Sequence, residues 1–88
     1  MTETMDHIEH DVRGFIRENF IVEADELDAS DSLTLNGVID SMGVLELVTF
    51  IEQRFGIAVP DRDTVPENLD SIDRIVRYLE GRLAAGDD

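Results

Sequence analysis

The feature that most constrains this fold is the spacing of the apolar residues, which recur every three or four positions in three separate segments. This spacing places apolar side chains on one face of an α-helix, so each segment can bury one stripe against the others. The three stripes comprise Met5, Ile8, Val12, Phe15 and Ile16, then Val44, Leu47, Val48, Ile51 and Phe55, and finally Ile72, Ile75, Val76, Leu79 and Leu83. No segment of useful length alternates apolar and polar residues, so the sequence predicts an all-α fold.

The predicted architecture is a small bundle of three main helices plus one short helix, with a long loop between the first two main helices. We expect the short helix near residues 64–68, within the polar stretch DRDTVPEN. The long loop covers residues 20–36 and carries Ile21, Leu27, Leu33 and Leu35, which we expect to anchor it to the core. The 88 residues suit a single domain, with a core from about residue 5 to residue 83 and a frayed tail at 84–88.

Local signals mark the ends of the second and third main helices. Asp40 precedes the second helix, where a negative charge suits the positive end of the helix dipole. Gly56 follows Phe55, and a glycine at this position readily takes the left-handed conformation that ends a helix. Either Asp70 or Ser71 can cap the third main helix.

The charge of the chain excludes several kinds of partner. The 21 acidic residues outnumber the 7 basic ones, all of them Arg, and the net charge is -14. Such a surface repels nucleic acid and anionic membrane and attracts partners that present Lys and Arg, although the charge can also serve solubility alone. With no Cys, there is no disulfide or thiolate site. Because we find no secretory signal or membrane-spanning stretch, we expect a cytoplasmic protein. For so highly charged a small chain we expect a monomer.

An Asp-Ser pair followed by an apolar residue occurs three times, as DSL from residue 31, DSM from residue 40 and DSI from residue 70. Ser32 lies in a turn-rich stretch, so local hydrogen bonding is expected there. Ser71 opens the third main helix and is expected to cap it. Ser41 opens the second helix, where backbone N–H groups and the dipole favour an added phosphate, although Ser41 could equally be one more N-cap.

The run DSMGVLELVTFIEQRFGI resembles the phosphopantetheine attachment region of acyl and peptidyl carrier proteins. The matching residues are Asp40, Ser41, Glu46, Leu47, Glu52 and Phe55. Weaker likenesses at residues 27–33, in IAVPD and in DSIDRIVRYL extend the resemblance over nearly the whole chain. It implies that a Mg-dependent transferase attaches 4'-phosphopantetheine from coenzyme A to the Oγ atom of Ser41, and that the protein is a carrier without enzymatic activity of its own.

The resemblance also implies a partner-binding face on the second helix. Acidic side chains would meet Arg and Lys around a partner's active site, and nearby apolar or small side chains would add shape contacts. The residues implied are Asp40, Met42, Leu45, Glu46, Thr49 and Glu52. Leu45 could instead belong to the core, and Glu46 and Glu52 could be merely solvated. The partners implied are a phosphopantetheinyl transferase, an acyl or aminoacyl ligase or acyltransferase, and downstream synthase enzymes with basic docking surfaces.

A cavity between helices could shelter a tethered chain. Its candidate lining residues are Val44, Val48, Phe50 and Ile72, which could also be plain core residues.

His7 and His10 belong to the first helix, and we expect neither to be catalytic. A calcium-binding loop starting at Asp28 would need Glu at its twelfth position, where Ile39 stands, so no metal site is expected.

Two departures from the family pattern bear on the pathway. Met42 stands where Leu is usual, and Gly43 stands where Asp or another polar residue is common. Gly43 costs up to ~1 kcal/mol relative to Ala in a helix, and the acidic DSLDTVE form typical of fatty-acid synthesis is absent. The resemblance therefore favours a stand-alone carrier in polyketide, nonribosomal peptide or amino-acid-tethering metabolism. The alternatives are a carrier for fatty-acid synthesis and an acidic helical adaptor without cofactor.

Overall fold

The computed structural model describes residues 2–20 and 28–84, and these residues form four α-helices and no strand. Helix α1 spans Thr2–Asn19, α2 spans Ser41–Phe55, α3 spans Pro66–Leu69 and α4 spans Ile72–Ala84. A 3₁₀ turn at Asp61–Asp63 precedes α3. Three long helices and one short helix confirm the predicted fold class.

The three apolar stripes meet in one core, in which α1 packs along α4. The side chains of Val12, Ile16, Leu47, Ile51, Ile72, Ile75 and Leu79 are fully buried. Each such side chain contributes roughly 1.5–3 kcal/mol relative to its exposed state. Val44, Val48 and Phe55 pack at the edge of this core, whereas Leu83 is partly exposed. The side chain of Met5 lies outside the described part of the structure.

The ends of the helices follow the local signals. Gly56 has φ 68° and donates its N–H to the carbonyl oxygen of Glu52 at 3.1 Å, as predicted for a left-handed helix end. The short helix begins two residues later than predicted, at Pro66, because the fixed φ of proline suits the first helical position. α4 continues to Ala84, one residue into the segment predicted to fray, and residues 85–88 lie outside the described residues.

Part of the long loop is anchored to the core as predicted. Leu33 is 2% exposed, and its N–H donates to the carbonyl oxygen of Asp70 at 2.7 Å. The prediction for Leu35 is wrong, because this side chain is 88% exposed. Leu35 lies in a turn closed by hydrogen bonds to Ser32, which directs it away from the bundle. The predicted anchors Ile21 and Leu27 lie outside the described residues.

A carboxylate joins this loop to the start of α4. Asp70 accepts hydrogen bonds from the Ser32 hydroxyl, from the Thr34 N–H at 3.0 Å and from the Thr34 hydroxyl at 2.8 Å. Partial burial raises the pKa of Asp70, but the hydrogen bonds outweigh it, and the pKa lies below the ordinary value of 3.8. Because the folded-state pKa is lowered, the stabilisation is complete above 3.8 and is lost as pH falls through the lower folded value.

We expect the Asp70→Asn variant to unfold with a free energy about 1–2 kcal/mol lower at neutral pH, since hydrogen bonds to a charged acceptor are lost. The difference from the natural protein should shrink at pH values well below 3.8, where the natural carboxylate is itself protonated. Urea unfolding at both pH values measures this. Asp61→Asn, at an exposed position in the 3₁₀ turn, is the matched control and should change little. An Asp70→Asn deficit of equal size at both pH values would contradict the argument.

A second polar cluster holds the 3₁₀ turn against α4. The Tyr78 hydroxyl donates to Oδ2 of Asp63 at 2.8 Å, and Nη1 of Arg82 donates to the Tyr78 oxygen at 2.7 Å. Partial burial, followed by the hydrogen bond to Asp63, raises the pKa of Tyr78. The phenol therefore stays protonated and donating at physiological pH.

Across residues 2–20 and 28–84, no helix is both long enough and apolar enough to span a membrane.

Candidate functional site

The three serines of the repeated Asp-Ser pattern occupy three different environments. Ser71 is 3% exposed and caps α4, accepting the Arg74 N–H at 3.1 Å, as predicted. Ser32 accepts the Leu35 N–H at 3.1 Å, which is the predicted local bond, but its hydroxyl also donates to Asp70 across the fold. Ser41 is exposed and is the first residue of α2.

Asp40 is the residue that caps α2. Its backbone is extended, its Oδ1 atom accepts the Gly43 N–H at 2.8 Å, and its carbonyl oxygen accepts the Val44 N–H at 2.9 Å. The alternative interpretation of Ser41 as the N-cap is therefore wrong. Among the residues that the structure describes, none forms a hydrogen bond with the Ser41 hydroxyl. The Ser41 hydroxyl therefore lies exposed at the N-terminal end of α2.

This position suits a phosphate-linked group. The first turn of a helix presents backbone N–H groups and the positive end of the dipole, both of which favour a phosphate. Because Ser41 faces solvent, an attached group would displace no core side chain. An exposed hydroxyl and a positive helix end thus fit the attachment of phosphopantetheine.

His7 lies on α1, where its Nε2 atom is 4.0 Å from the Asp11 carboxylate.

Close packing explains the glycine at position 43, and this packing was not predicted from the sequence. A Cβ atom at this position would lie 2.9 Å from Cγ2 of Ile39 and 2.9 Å from Cε1 of Phe20. Real Cβ atoms essentially never approach other heavy atoms so closely. Phe20 comes from the chain just after α1, so Gly43 lets that end of α1 close over the first turn of α2. From the sequence, helix propensity predicts only that glycine is less favourable than alanine at this position. It does not predict the contact with Phe20, which lies 23 positions earlier in the chain.

The residues predicted for a partner face all lie on α2 or its cap, and most are accessible. Met42 is 67% exposed and Leu45 61%, so the alternative that Leu45 belongs to the core is wrong. Asp40, Glu46 and Thr49 are also exposed. Four of these side chains line one groove between α1 and α2, namely Met42, Leu45, Glu46 and Thr49.

Glu52 has a structural contact in addition to its predicted role. It is half-buried, and its Oε2 atom accepts the Val59 N–H at 2.8 Å. This bond ties α2 to the link that follows it, where Ile57 and Val59 are buried. Any contact of Glu52 with a partner has to use the remaining part of its carboxylate, and that role stays a prediction.

A small cavity of about 140 Å³ lies between the long loop, α2 and α3. Its lining is mainly apolar and includes Leu33, Ile39, Val44, Val65 and Leu69. Of the four predicted lining residues, the structure places only Val44 there. Ile72 is fully buried in the core, and Phe50 stacks on Phe15 with the ring centroids 4.6 Å apart.

Comparison with known proteins agrees with this geometry. A family model described as a phosphopantetheine attachment site matches residues 10–79. An acyl carrier protein of Akkermansia muciniphila is 36% identical over 73 residues, which cover 83% of this chain and 89% of the relative. Acyl carrier proteins of Campylobacter hominis and Campylobacter jejuni subsp. doylei are 34% and 29% identical over 70 residues, each covering 80% of this chain. These alignments cover 86% and 88% of the two relatives.

Proposed function

Because this chain belongs to the phosphopantetheine-binding family of acyl carrier proteins, we propose that Ser41 is the residue that carries its prosthetic group. The group is a covalently attached 4'-phosphopantetheine, which supplies a flexible arm ending in a thiol that holds an acyl group as a thioester. The observation that carries the proposal for Ser41 is that the neighbouring residue, Asp40, and not Ser41, caps α2. Asp40 satisfies the helix end, and the neighbouring hydroxyl remains exposed.

The other two serines of the pattern are poor candidates for the same role. Modification of Ser71 would remove a cap and force a phosphate into a site that is 3% exposed. Modification of Ser32 would break its hydrogen bond to Asp70 and bring a phosphate beside that carboxylate. At Ser41 neither cost arises, and the helix end favours the added negative charge.

The protein acts as an acyl carrier for enzymes that modify, load and process it. Members of this family interact with a phosphopantetheinyl transferase and with acyl-processing enzymes, and they are generally not catalysts themselves. We place this carrier in specialised metabolism, where the tethered group is a polyketide intermediate, a peptide intermediate or an amino acid. The support for that proposal is Gly43. The resemblance leads us to expect Asp or another polar residue at this position, whereas this chain has a glycine against which the ring of Phe20 packs.

The test of attachment uses the purified protein with coenzyme A, Mg²⁺ and a broad-specificity phosphopantetheinyl transferase. We expect the intact mass to rise by one phosphopantetheine group, and fragmentation of the product to localise the group to Ser41. No gain in mass would favour an acidic helical adaptor without cofactor. The mass of the protein isolated from its native cells tests the pathway, because a saturated fatty acyl group on the arm would point to fatty-acid synthesis instead.

We further propose that the exposed acidic side chains on α2 guide partners with basic surfaces. Glu46→Lys should lower kcat/KM of the transferase by about fivefold at low salt, which corresponds to roughly 1 kcal/mol for exposed ion pairs. The loss should be smaller at high salt, because salt screens exposed charges. Asp61→Lys makes the same charge change in the 3₁₀ turn and should have little effect. An equal loss for Glu46→Lys at both salt concentrations would refute electrostatic docking.

A further inference from the structure

We propose that the groove between α1 and α2 is a resting site for the phosphopantetheine arm of the same molecule, and that Leu45, Thr49 and Gln53 hold the arm there. This inference rests on the proposed function, because it takes Ser41 as the point of attachment. The groove has a volume of about 690 Å³, and side chains of both helices line it. Among the described residues, it shares no lining residue with the small cavity between the long loop, α2 and α3.

One row of side chains on α2 leads from the attachment point into the groove. Ser41, Leu45, Thr49 and Gln53 follow one another at intervals of four residues, so they form one ridge along the helix surface. All four are exposed, and the last three line the groove. At about 1.5 Å per residue the ridge extends roughly 18 Å from Ser41 to Gln53. The arm is as long as about five residues of extended backbone, which reach roughly 17 Å. The ridge and the arm therefore match in length.

The side chains along this ridge also match the order of chemical groups along the arm. After its phosphate, the arm carries a carbon with two methyl groups, then a hydroxyl, then two amides separated by methylene groups, and last the thiol. The ridge presents the apolar side chain of Leu45 first, then the hydroxyl of Thr49 and the amide of Gln53. Leu45 and its neighbour Met42 are 61% and 67% exposed, so both can cover the methyl groups of the arm.

The polar side chains of the ridge can bond to amides. The Thr49 hydroxyl donates to the carbonyl oxygen of Leu45 at 3.1 Å, which leaves the lone pairs of its oxygen to accept an N–H of the arm. The side-chain amide of Gln53 both donates and accepts, as an amide of the arm requires. Beside them, the rings of Phe15 and Phe50 line the groove and stack with centroids 4.6 Å apart. This apolar surface suits the methylene groups of the arm.

The charges that line the groove nearly cancel, in contrast to those of the whole chain. Three carboxylates and two guanidinium groups line it, those of Asp11, Glu18 and Glu46 and those of Arg17 and Arg54, whereas the chain has a net charge of -14. One pair is already formed, because Nη2 of Arg54 lies 3.1 Å from the Asp11 carboxylate. Such a lining favours neither a basic nor an acidic partner. It fits the neutral part of the arm, while the phosphate stays at the positive end of α2.

Attachment to Ser41 makes weak contacts sufficient. A tethered group has an effective concentration on the order of millimolar, so docking of the arm needs less affinity than binding of a free ligand. The docking residues Leu45 and Thr49 also belong to the predicted partner face. A partner that covers these two side chains would displace the arm from the groove, so binding of the partner and release of the thiol would be coupled.

NMR of isotope-labelled protein before and after attachment of the arm tests the resting site, with intact mass and fragmentation verifying the attachment. We expect the amide signals of Thr49 and Gln53 on α2, and of Gly14 and Phe15 across the groove on α1, to shift when the arm is attached. We also expect nuclear Overhauser contacts between the two methyl groups of the arm and those of Leu45. The shifts should persist at high salt, because salt screens charges and the docking contacts are neutral.

A pair of leucine variants identifies the contact. Leu45→Ala removes apolar contact with the arm and should lower the ratio of docked to free arm about fivefold, which reduces the shift at Gly14. Leu35→Ala truncates a leucine that is 88% exposed and does not line the groove, and it should leave that shift unchanged. Intact mass verifies that both variants carry the arm before they are compared.

Several results would overturn the inference. These are shifts confined to the first turn of α2, shifts that disappear at high salt, equal effects of the two leucine variants, or shifts at Val65 in the small cavity in place of Gly14. Shifts that grow with protein concentration would indicate a second copy of the chain as the occupant instead. No arm on Ser41 would refute the proposed function and this inference together, whereas an arm on Ser41 without shifts in the groove would refute this inference alone.

Discussion

In the Ser41→Ala variant, we expect the transferase to add no phosphopantetheine at all, whereas Ser32→Ala and Ser71→Ala should both gain the full mass. The physical reason is the different use of the three hydroxyls. Ser71 is buried as the cap of α4 and Ser32 bonds to Asp70, while Asp40 relieves Ser41 of any capping role. Intact mass spectrometry after identical incubations measures all three variants.

Protein stability provides the control for this comparison. Removing the exposed Ser41 hydroxyl should change the free energy of unfolding by less than about 0.5 kcal/mol, as is usual for surface positions. Ser71→Ala should lower it by about 1 kcal/mol through loss of the cap, and yet still accept the group. Modification of Ser41→Ala at the normal level would refute the assignment, and so would a modified Ser41→Ala protein whose group maps to Ser32 or Ser71.

In the Gly43→Val variant, we expect the free energy of unfolding to fall by about 2–3 kcal/mol, within the range for overpacking a well-filled site. The added atoms would overlap Ile39 and Phe20, since even a Cβ atom would lie 2.9 Å from each of them. For a domain of this size, each 1 kcal/mol lowers the melting temperature by about 4–8 °C. Thermal unfolding followed by circular dichroism measures the shift.

Two comparisons identify the cause of the Gly43→Val effect. Gly81→Val makes the same change in α4, where a Cβ atom would meet nothing within 4 Å, and it should alter stability by less than about 0.5 kcal/mol. In a Phe20→Ala background, Gly43→Val should cost less than in the natural protein, because one of the overlapping groups is gone. Helix propensity alone would favour valine over glycine in both variants. An equal loss of stability in both variants would therefore refute the close approach of Phe20 as the cause.

The fold was largely predictable, and the exceptions have specific causes. The stripes containing Ile16, Leu47 and Ile75 predicted helices whose apolar faces are buried as expected. The loop was harder, because Leu33 and Leu35 look alike in sequence. Only the turn around Ser32, held by hydrogen bonds within residues 32–37 and by Asp70, decides that Leu33 turns inward and Leu35 outward.

The candidate site was predictable in its location but not in its details. The resemblance carried by the run from Asp40 to Ile57 pointed to Ser41, yet the residues alone left open whether Ser41 carries a group or merely caps the helix. The structure assigns the cap to Asp40. It also gives Glu52 a hydrogen bond to the Val59 N–H, which requires the chain after α2 to turn back along the helix. No sequence pattern of α2 specifies that turn.

Features that depend only on neighbouring residues could be predicted from the sequence, namely the helical periods, the Asp-Ser pattern before α2 and the glycine that ends it. These are local because hydrogen bonding and side-chain spacing within a helix involve residues only three or four positions apart. Three features follow from how the helices pack, namely which hydroxyl remains exposed, why a side chain at Gly43 would overlap its neighbours, and the open groove between α1 and α2. These depend on contacts such as Phe20 with Gly43 and Ser32 with Asp70, which packing of the helices brings together across long stretches of chain.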